Sequence, residues 1–230
     1  MVETEEMESE LLRNPAGYKS GFWTSFVVDD KVVITESTEE MDVFSIKSID
    51  KKEGSVKVHL GYTSSDEGSL GLDFEVELMT FEKPFMLMRH STINKSSSRL
   101  EDLVVYHFMD FDVGGPKSYK DDIGEYDSNN HMMHLWDENP LHVTLSSSTE
   151  PDGWEISPPT KLNIEESNRD LKKNSILGPR DVAVALQWNL GRLEIDEKRT
   201  VEALVTAAKT KDEAIARISE AWDWVNQNLR

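Results

Sequence analysis

Along most of this chain apolar residues alternate with polar ones, the period of a strand that buries one face. Phe22, Thr24, Phe26 and Val28 fall on one side of such a strand, Asp29-Asp30 supplies a turn, and residues 31–36 return, which predicts a hairpin. A second hairpin is predicted from residues 43–49 and 56–62, joined by Lys51-Lys52-Glu53-Gly54, where glycine can take a positive φ. Strands follow at 70–81 and 85–93 around Glu82-Lys83-Pro84, and residues 94–99 form the next turn. Residues 103–112 are the most strongly β-forming stretch, and Gly114-Gly115-Pro116 stops it. Shorter strands are expected at 131–136 and 142–147. Residues 154–174, polar and carrying Pro158-Pro159, read as a long excursion with at most one helical turn. Two more strands, 181–191 and 198–209, flank a turn at 194–197.

The period then changes. Thr210 is a good N-cap with Glu213 at the capping-box position, and Asp212 and Glu213 suit the positive end of a helix. Ala214, Ile215, Ile218, Ala221, Trp222 and Val225 form a stripe at 3–4 spacing, predicting a helix over 211–229 that covers a sheet. Because no helices intervene between the strands, the sheets should be antiparallel, and this many strands must pack in two layers. The predicted fold is all-β: a large antiparallel two-sheet supersandwich with one C-terminal α-helix. Residues 1–14 read as an acidic lead-in, with a short helix over 3–12 as an alternative, and residues 15–230 as one domain without linker or internal repeat.

Charge and composition narrow the partners. Forty-four acidic against 25 basic residues give a net charge of −19 over 230 residues. Such a chain repels phosphates, so neither a nucleic acid nor a membrane partner is expected. The acids are spread along the chain, which favours solvation over a dedicated cation surface. The absence of cysteine excludes disulfides, thiol catalysis and thiolate metal sites. No stretch approaches the roughly 20 apolar residues of a membrane span. The acidic first ten residues are the reverse of a signal peptide. A cytoplasmic location is expected.

Laid out this way, the chain resembles a known family. Ile93-Asn94 running into residues 103–112, then residues 181–191 with Leu193, the turn at Asp196-Glu197 and Thr210-Lys211-Asp212-Glu213-Ala214 carry the resemblance, which spans about residues 75–225. It is to the β-supersandwich, galactose mutarotase-like domain at the N-terminus of prokaryotic family 15 glycoside hydrolases, the glucoamylase and glucodextranase group. In that family catalysis lies in a separate helical barrel beyond the domain. The resemblance therefore carries over no catalytic residue and implies a free-standing accessory domain.

Several constellations are candidates for chemistry. A mutarotase-type epimerase needs a histidine and a carboxylate flanking a sugar ring, for which His90, His107 and Glu75 are the candidates. Asp110, Asp112, Asp121 and Asp122 are the candidate oxygen ligands for Ca²⁺, and no other cofactor is expected. His131 and His134, with His142 nearby, have a ligand-like spacing, but i and i+3 on a strand point to opposite faces. Trp136 and Trp154 are candidates for stacking on a glycan, whereas Trp188 and Trp222 read as core. P-loop, dinucleotide and nucleophile-elbow signatures are missing. The expected function is a non-catalytic, carbohydrate-related binding or accessory β-sandwich protein. The alternatives are a mutarotase-type sugar epimerase and a scaffold that binds a protein partner or a second copy of itself.

Overall fold

The structure, a computed structural model, describes residues 2–4, 7–9, 20–28, 30–35, 44–63, 71–115, 120–138, 140–165 and 167–229. The first half holds β1 (Val2–Thr4), β2 (Met7–Ser9), β3 (Gly21–Val28), β4 (Lys31–Ile34), β5 (Ser45–Lys52), β6 (Ser55–Thr63), β7 (Gly71–Phe81), β8 (Lys83–Asn94) and β9 (Leu100–Asp110). The second half holds β10 (Ile123–Asp127), β11 (Met132–Trp136), β12 (His142–Ser147), β13 (Gly153–Ser157), β14 (Ile176–Leu177), β15 (Ala183–Leu193), β16 (Lys198–Ala208) and the helix α1 (Lys211–Asn228). Every strand pairing is antiparallel. One sheet has nine strands in the order β14-β10-β11-β12-β16-β8-β7-β6-β5, and the other has five in the order β13-β15-β9-β3-β4. The fold is the expected one, two antiparallel sheets and a C-terminal helix.

Strand parity decides what lies between the layers. On β9, Val105 and Met109 point toward the nine-stranded sheet and join Met88, Leu145, Val201 and Val205 in the main core. Val104, Tyr106 and Phe108 point the other way and are covered by Leu162, Ile164 and Leu171. Both faces of β9 are thus buried, which is why its sequence is an almost unbroken apolar run. The covering residues belong to the polar excursion expected at 154–174. That segment begins as β13, makes one 3₁₀ turn at Pro159–Lys161, and then straps the outer face of the five-stranded sheet. Polar bonds hold the strap down. The Tyr106 hydroxyl donates to the Arg169 carbonyl at 2.5 Å, and buried Gln187 accepts from Leu171 N–H at 2.9 Å.

The helix forms for the expected reasons. Thr210 caps it by accepting the Glu213 N–H at 3.2 Å, while the Glu213 carboxylate reaches back to the Lys209 N–H at 3.0 Å. Ala214, Ile218, Ala221 and Val225 are buried on one stripe against Leu87, Met132 and Leu204 of the nine-stranded sheet. Trp222 packs partly buried beside them and donates to Ser146 Oγ at 2.9 Å. Burying Ile218 and Val225 contributes about 1.5–3 kcal/mol each.

Five short strands differ from expectation. β10, β13 and β14 occupy segments expected as loop or excursion. Ile123-Gly124-Glu125-Tyr126-Asp127 offers only two apolar positions, too few for alternation to register. In the lead-in, the backbone of β1 pairs with that of β2 rather than forming a helix. Residues 10–14 and the turn residue Asp29 lie outside the described residues, as does Val43.

Candidate functional site

The histidines meet in two pairs, neither of them the pair suggested by sequence spacing. His90 on β8 and His107 on β9 face each other across the space between the sheets, Nε2 to Nδ1 at 2.8 Å. Both are buried, and Phe22 lies 5.1 Å from the His90 ring. Burial pushes the His90 imidazole down to about 4. It takes His107 well below the ordinary range too, with a smaller contribution from His90. Both rings are neutral at pH 7. Glu75 does not join them. It sits on β7 opposite Ser91, so it points to the outer face of the nine-stranded sheet while His90 points inward. There it bonds Lys198, which lowers its pKa, and lies 3.9 Å from His59. The three candidates for acid–base chemistry therefore occupy two sides of one sheet, and the two histidines touch with no room for a sugar ring between them.

The second pair lies on the outer face, beside the start of α1. Met133 and Leu135 of β11 point into the core, so His134 and Trp136 point outward, as does His142 on β12 directly opposite Trp136. His134 Nε2 and His142 Nδ1 are 2.8 Å apart, with ring centroids at 5.0 Å and planes 9° apart. That centroid distance is the nitrogen contact plus one ring radius on each side, so the two imidazoles meet edge to edge in nearly one plane. The nitrogens point at each other along a hydrogen bond, which leaves no space for a shared metal ion. Trp136 stacks on His134 at 4.6 Å and 19°. The result is a layered plate of three rings: Trp136 lies over the buried His134, whose edge meets His142, and Trp136 and His142 are half-buried.

Charged groups frame this plate. Glu125 of β10 lies opposite His134 and accepts from Lys211 Nζ at 2.8 Å. Burial, then His142 and Lys211, push His134 down to about 4 against the opposing pull of Glu125 and Asp127. His142 is lowered by burial and then Lys211, with Asp137 opposing. The plate is uncharged at neutral pH. Its accessible parts are the half-buried Trp136 indole and the half-buried His142, with the Lys211–Glu125 ion pair beside them.

The other sequence candidates are placed differently. Trp154 has Tyr126 stacked on it at 4.2 Å and the Lys173 ammonium over its ring at 5.3 Å, and its N–H donates to Ser175 Oγ at 3.1 Å. Protein groups already engage that ring. Asp110, Asp112 and Asp122 are buried near the end of β9, while Asp121 is exposed. Asp122 is pushed up to about 8, by burial above all and then by the charges of Asp137, Asp112 and Asp181, against a backbone hydrogen bond from Val113. At pH 7 it is mostly a neutral acid. Among the described residues, no three His, Asp or Glu side chains converge to hold a metal ion, so these aspartates are not gathered as a calcium ligand set. No helix among the described residues is long and apolar enough to cross a membrane.

Two antiparallel sheets packed face to face, with a helix on one outer face, form a β-sandwich whose fold is similar to that of galactose mutarotase-like proteins. A bacterial glucoamylase complexed with acarbose matches 90% of this chain with a TM-score of 0.63 at 14% identity. A GalM/aldose epimerase homologue from C. elegans matches 80% with a TM-score of 0.54 at 8% identity. An alpha-N-acetylgalactosaminidase from Bifidobacterium bifidum matches 93% with a TM-score of 0.53 at 11% identity. The chain spans 29% of the glucoamylase, 34% of the galactosaminidase and 78% of the epimerase homologue. No protein-family model and no curated protein matches it. At these identities the likeness shows the fold alone.

Proposed function

We propose that this protein is a non-catalytic carbohydrate-binding accessory domain and that the plate built on Trp136 is where the sugar lies. The observation that carries the reading is the half-buried Trp136 stacked on the coplanar His134–His142 pair, beside the Lys211–Glu125 ion pair. An aromatic face beside hydrogen-bonding side chains is the kind of surface on which a pyranose stacks. The fold likeness to parts of carbohydrate-active proteins agrees with it. An epimerase at His90 and His107 is less well supported, because their 2.8 Å contact and the opposite placement of Glu75 leave no acid–base pair spanning a ring.

Binding of mono- and oligosaccharides, followed by thermal shift and calorimetry, tests the proposal. A ligand at about 100 times its dissociation constant adds about 2.7 kcal/mol of stability, enough for a clear shift. Trp136→Ala should abolish the shift, while Trp154→Phe should leave it intact. A saccharide that shifts the wild type and Trp136→Ala equally would remove the plate from the reading.

A further inference from the structure

We propose that His142 is a ligand-binding residue of the Trp136 plate and that it meets the saccharide as a hydrogen-bond donor through Nε2, held in that tautomer by the buried His134. This rests on the carbohydrate-binding reading above. Two neutral imidazoles carry two N–H groups, and the contact between His134 Nε2 and His142 Nδ1 at 2.8 Å uses one of them. Which ring donates decides where the other lies. If His142 donates from Nδ1, the remaining N–H sits on His134 Nδ1. That atom is enclosed and has no hydrogen-bond partner among the described residues. If His134 donates from Nε2, the remaining N–H sits on His142 Nε2. The His142 ring is half-buried, and its Nε2, without a partner among the described residues, is not enclosed, so solvent or a ligand reaches it.

A buried N–H with nothing to accept it is destabilising, whereas an N–H that meets water is not. A bare nitrogen in the same buried place lacks only a donor, and of the two defects the orphaned N–H is the rarer in folded proteins. The Nε2–H form is also the more stable of the two neutral forms of a histidine side chain. Both arguments select the arrangement in which His134 donates and His142 carries its proton on the outward nitrogen. The His90–His107 pair has the same Nε2-to-Nδ1 contact but no such outlet, because both of its outer nitrogens are enclosed. Trp136 and His142 are direct cross-strand partners on β11 and β12. Their Cβ atoms are therefore about 5 Å apart, less than the length of a disaccharide. An oligosaccharide lying on the indole thus reaches the His142 Nε2–H. The group it offers there must be an acceptor, a hydroxyl, ring or carbonyl oxygen.

Two measurements on the full chain test this. The first needs no variant fold. Long-range proton–nitrogen correlation spectra at about pH 7.5, with the six histidines assigned by single substitutions, should show a protonated Nε2 and a bare Nδ1 on both His134 and His142. Tetramers of glucose and of N-acetylglucosamine are then added, and whichever binds should shift the His142 Nε2 signal. His59, on the far wing of the same sheet, should not move. The second measurement is calorimetric titration of variants with the same tetramers. His142→Phe keeps a ring and removes the donor, and should weaken binding by about 3- to 10-fold, the loss of one hydrogen bond. His142→Gln, which can still donate, should recover part of that loss. A protonated Nδ1 on His142 would overturn the proposal. Binding that depends on Trp136 but is unchanged in His142→Phe would also overturn it and leave the carbohydrate reading standing. Failure of these tetramers and of the wider saccharide panel to bind would overturn both.

Discussion

Replacing His90 and His107 together with leucine should make this protein less sensitive to acid. A neutral imidazole carries one N–H, so the pair holds two, and only one is used in their mutual hydrogen bond. The other must sit on His90 Nδ1 or His107 Nε2, and both of those atoms are buried without a hydrogen-bond partner. An unmet buried donor costs about 1–3 kcal/mol. Protonation costs more. The unfolded chain binds a proton at each histidine near 6.5, whereas folded His90 resists it until about 4. The unfolded state therefore holds more protons between those values, and stability present above 6.5 is lost as pH falls toward 4. For His90 alone the loss is about 2 kcal/mol at pH 5 and about 3 kcal/mol at pH 4. His107, lowered in the same direction, adds to it. Urea unfolding followed by tryptophan fluorescence at about pH 7.5 and pH 5 measures the difference. The wild type should lose at least about 2 kcal/mol more than the double variant over that interval. His134 titrates with the same sign and the acidic surface loses self-repulsion, but both act equally on the two proteins. At pH 7.5 the double variant should be as stable as the wild type or more so, because both polar partners leave together. His107→Leu alone should be destabilising, since it frees a second nitrogen on His90. Parallel losses in wild type and double variant would refute the reasoning.

Asp122 should show the opposite dependence. Its folded carboxyl holds a proton up to about 8 and its unfolded carboxyl releases it near 3.8, so stability falls as pH rises between those values. Asp122→Asn should match the wild type at low pH and exceed it by about 4–6 kcal/mol at about pH 8, read from urea midpoints; parallel curves would refute it. At the other end of the chain, Thr210→Ala removes the side chain that accepts the Glu213 N–H. It should cost about 1 kcal/mol in urea unfolding, and a cost indistinguishable from zero would mean that packing on the sheet alone sets the helix start.

Local parity in the sequence separates some of the candidate residues and unites others. The connection Glu82-Lys83-Pro84 centres a hairpin, and residues 75 and 91 are equidistant from Lys83; they do pair, which puts Glu75 on the face that His90 avoids. In the same way, the connection between β11 and β12 makes Trp136 and His142 cross-strand neighbours, so the plate was recoverable from hairpin geometry alone. His131 lies in the turn before β11 with a positive φ, so its spacing from His134 carries no strand parity. Alternation and capping likewise marked most strands and the helix, because each signal lies within a few residues of the element it marks.

Membership of a sheet is a different kind of information. β8 and β9 follow each other in sequence yet lie in different layers, and only for that reason do His90 and His107 meet face to face. β16 lies between β8 and β12, far from either in sequence, and it places the start of α1 beside β10, where Lys211 finds Glu125. These long-range pairings leave no local mark, since any strand of suitable polarity satisfies the backbone of its neighbour. The strap over the five-stranded sheet was hidden for a related reason. Its segment reads as solvated because most of its side chains are polar, yet Leu162, Ile164 and Leu171 cover the outer face of β9 and its polar groups bond Gln187 and Tyr106 beneath it. The candidate site follows the same logic. None of its rings is unusual in sequence, and it exists because one hairpin, one β10 carboxylate and the first turn of the helix are brought to a single patch of the outer sheet.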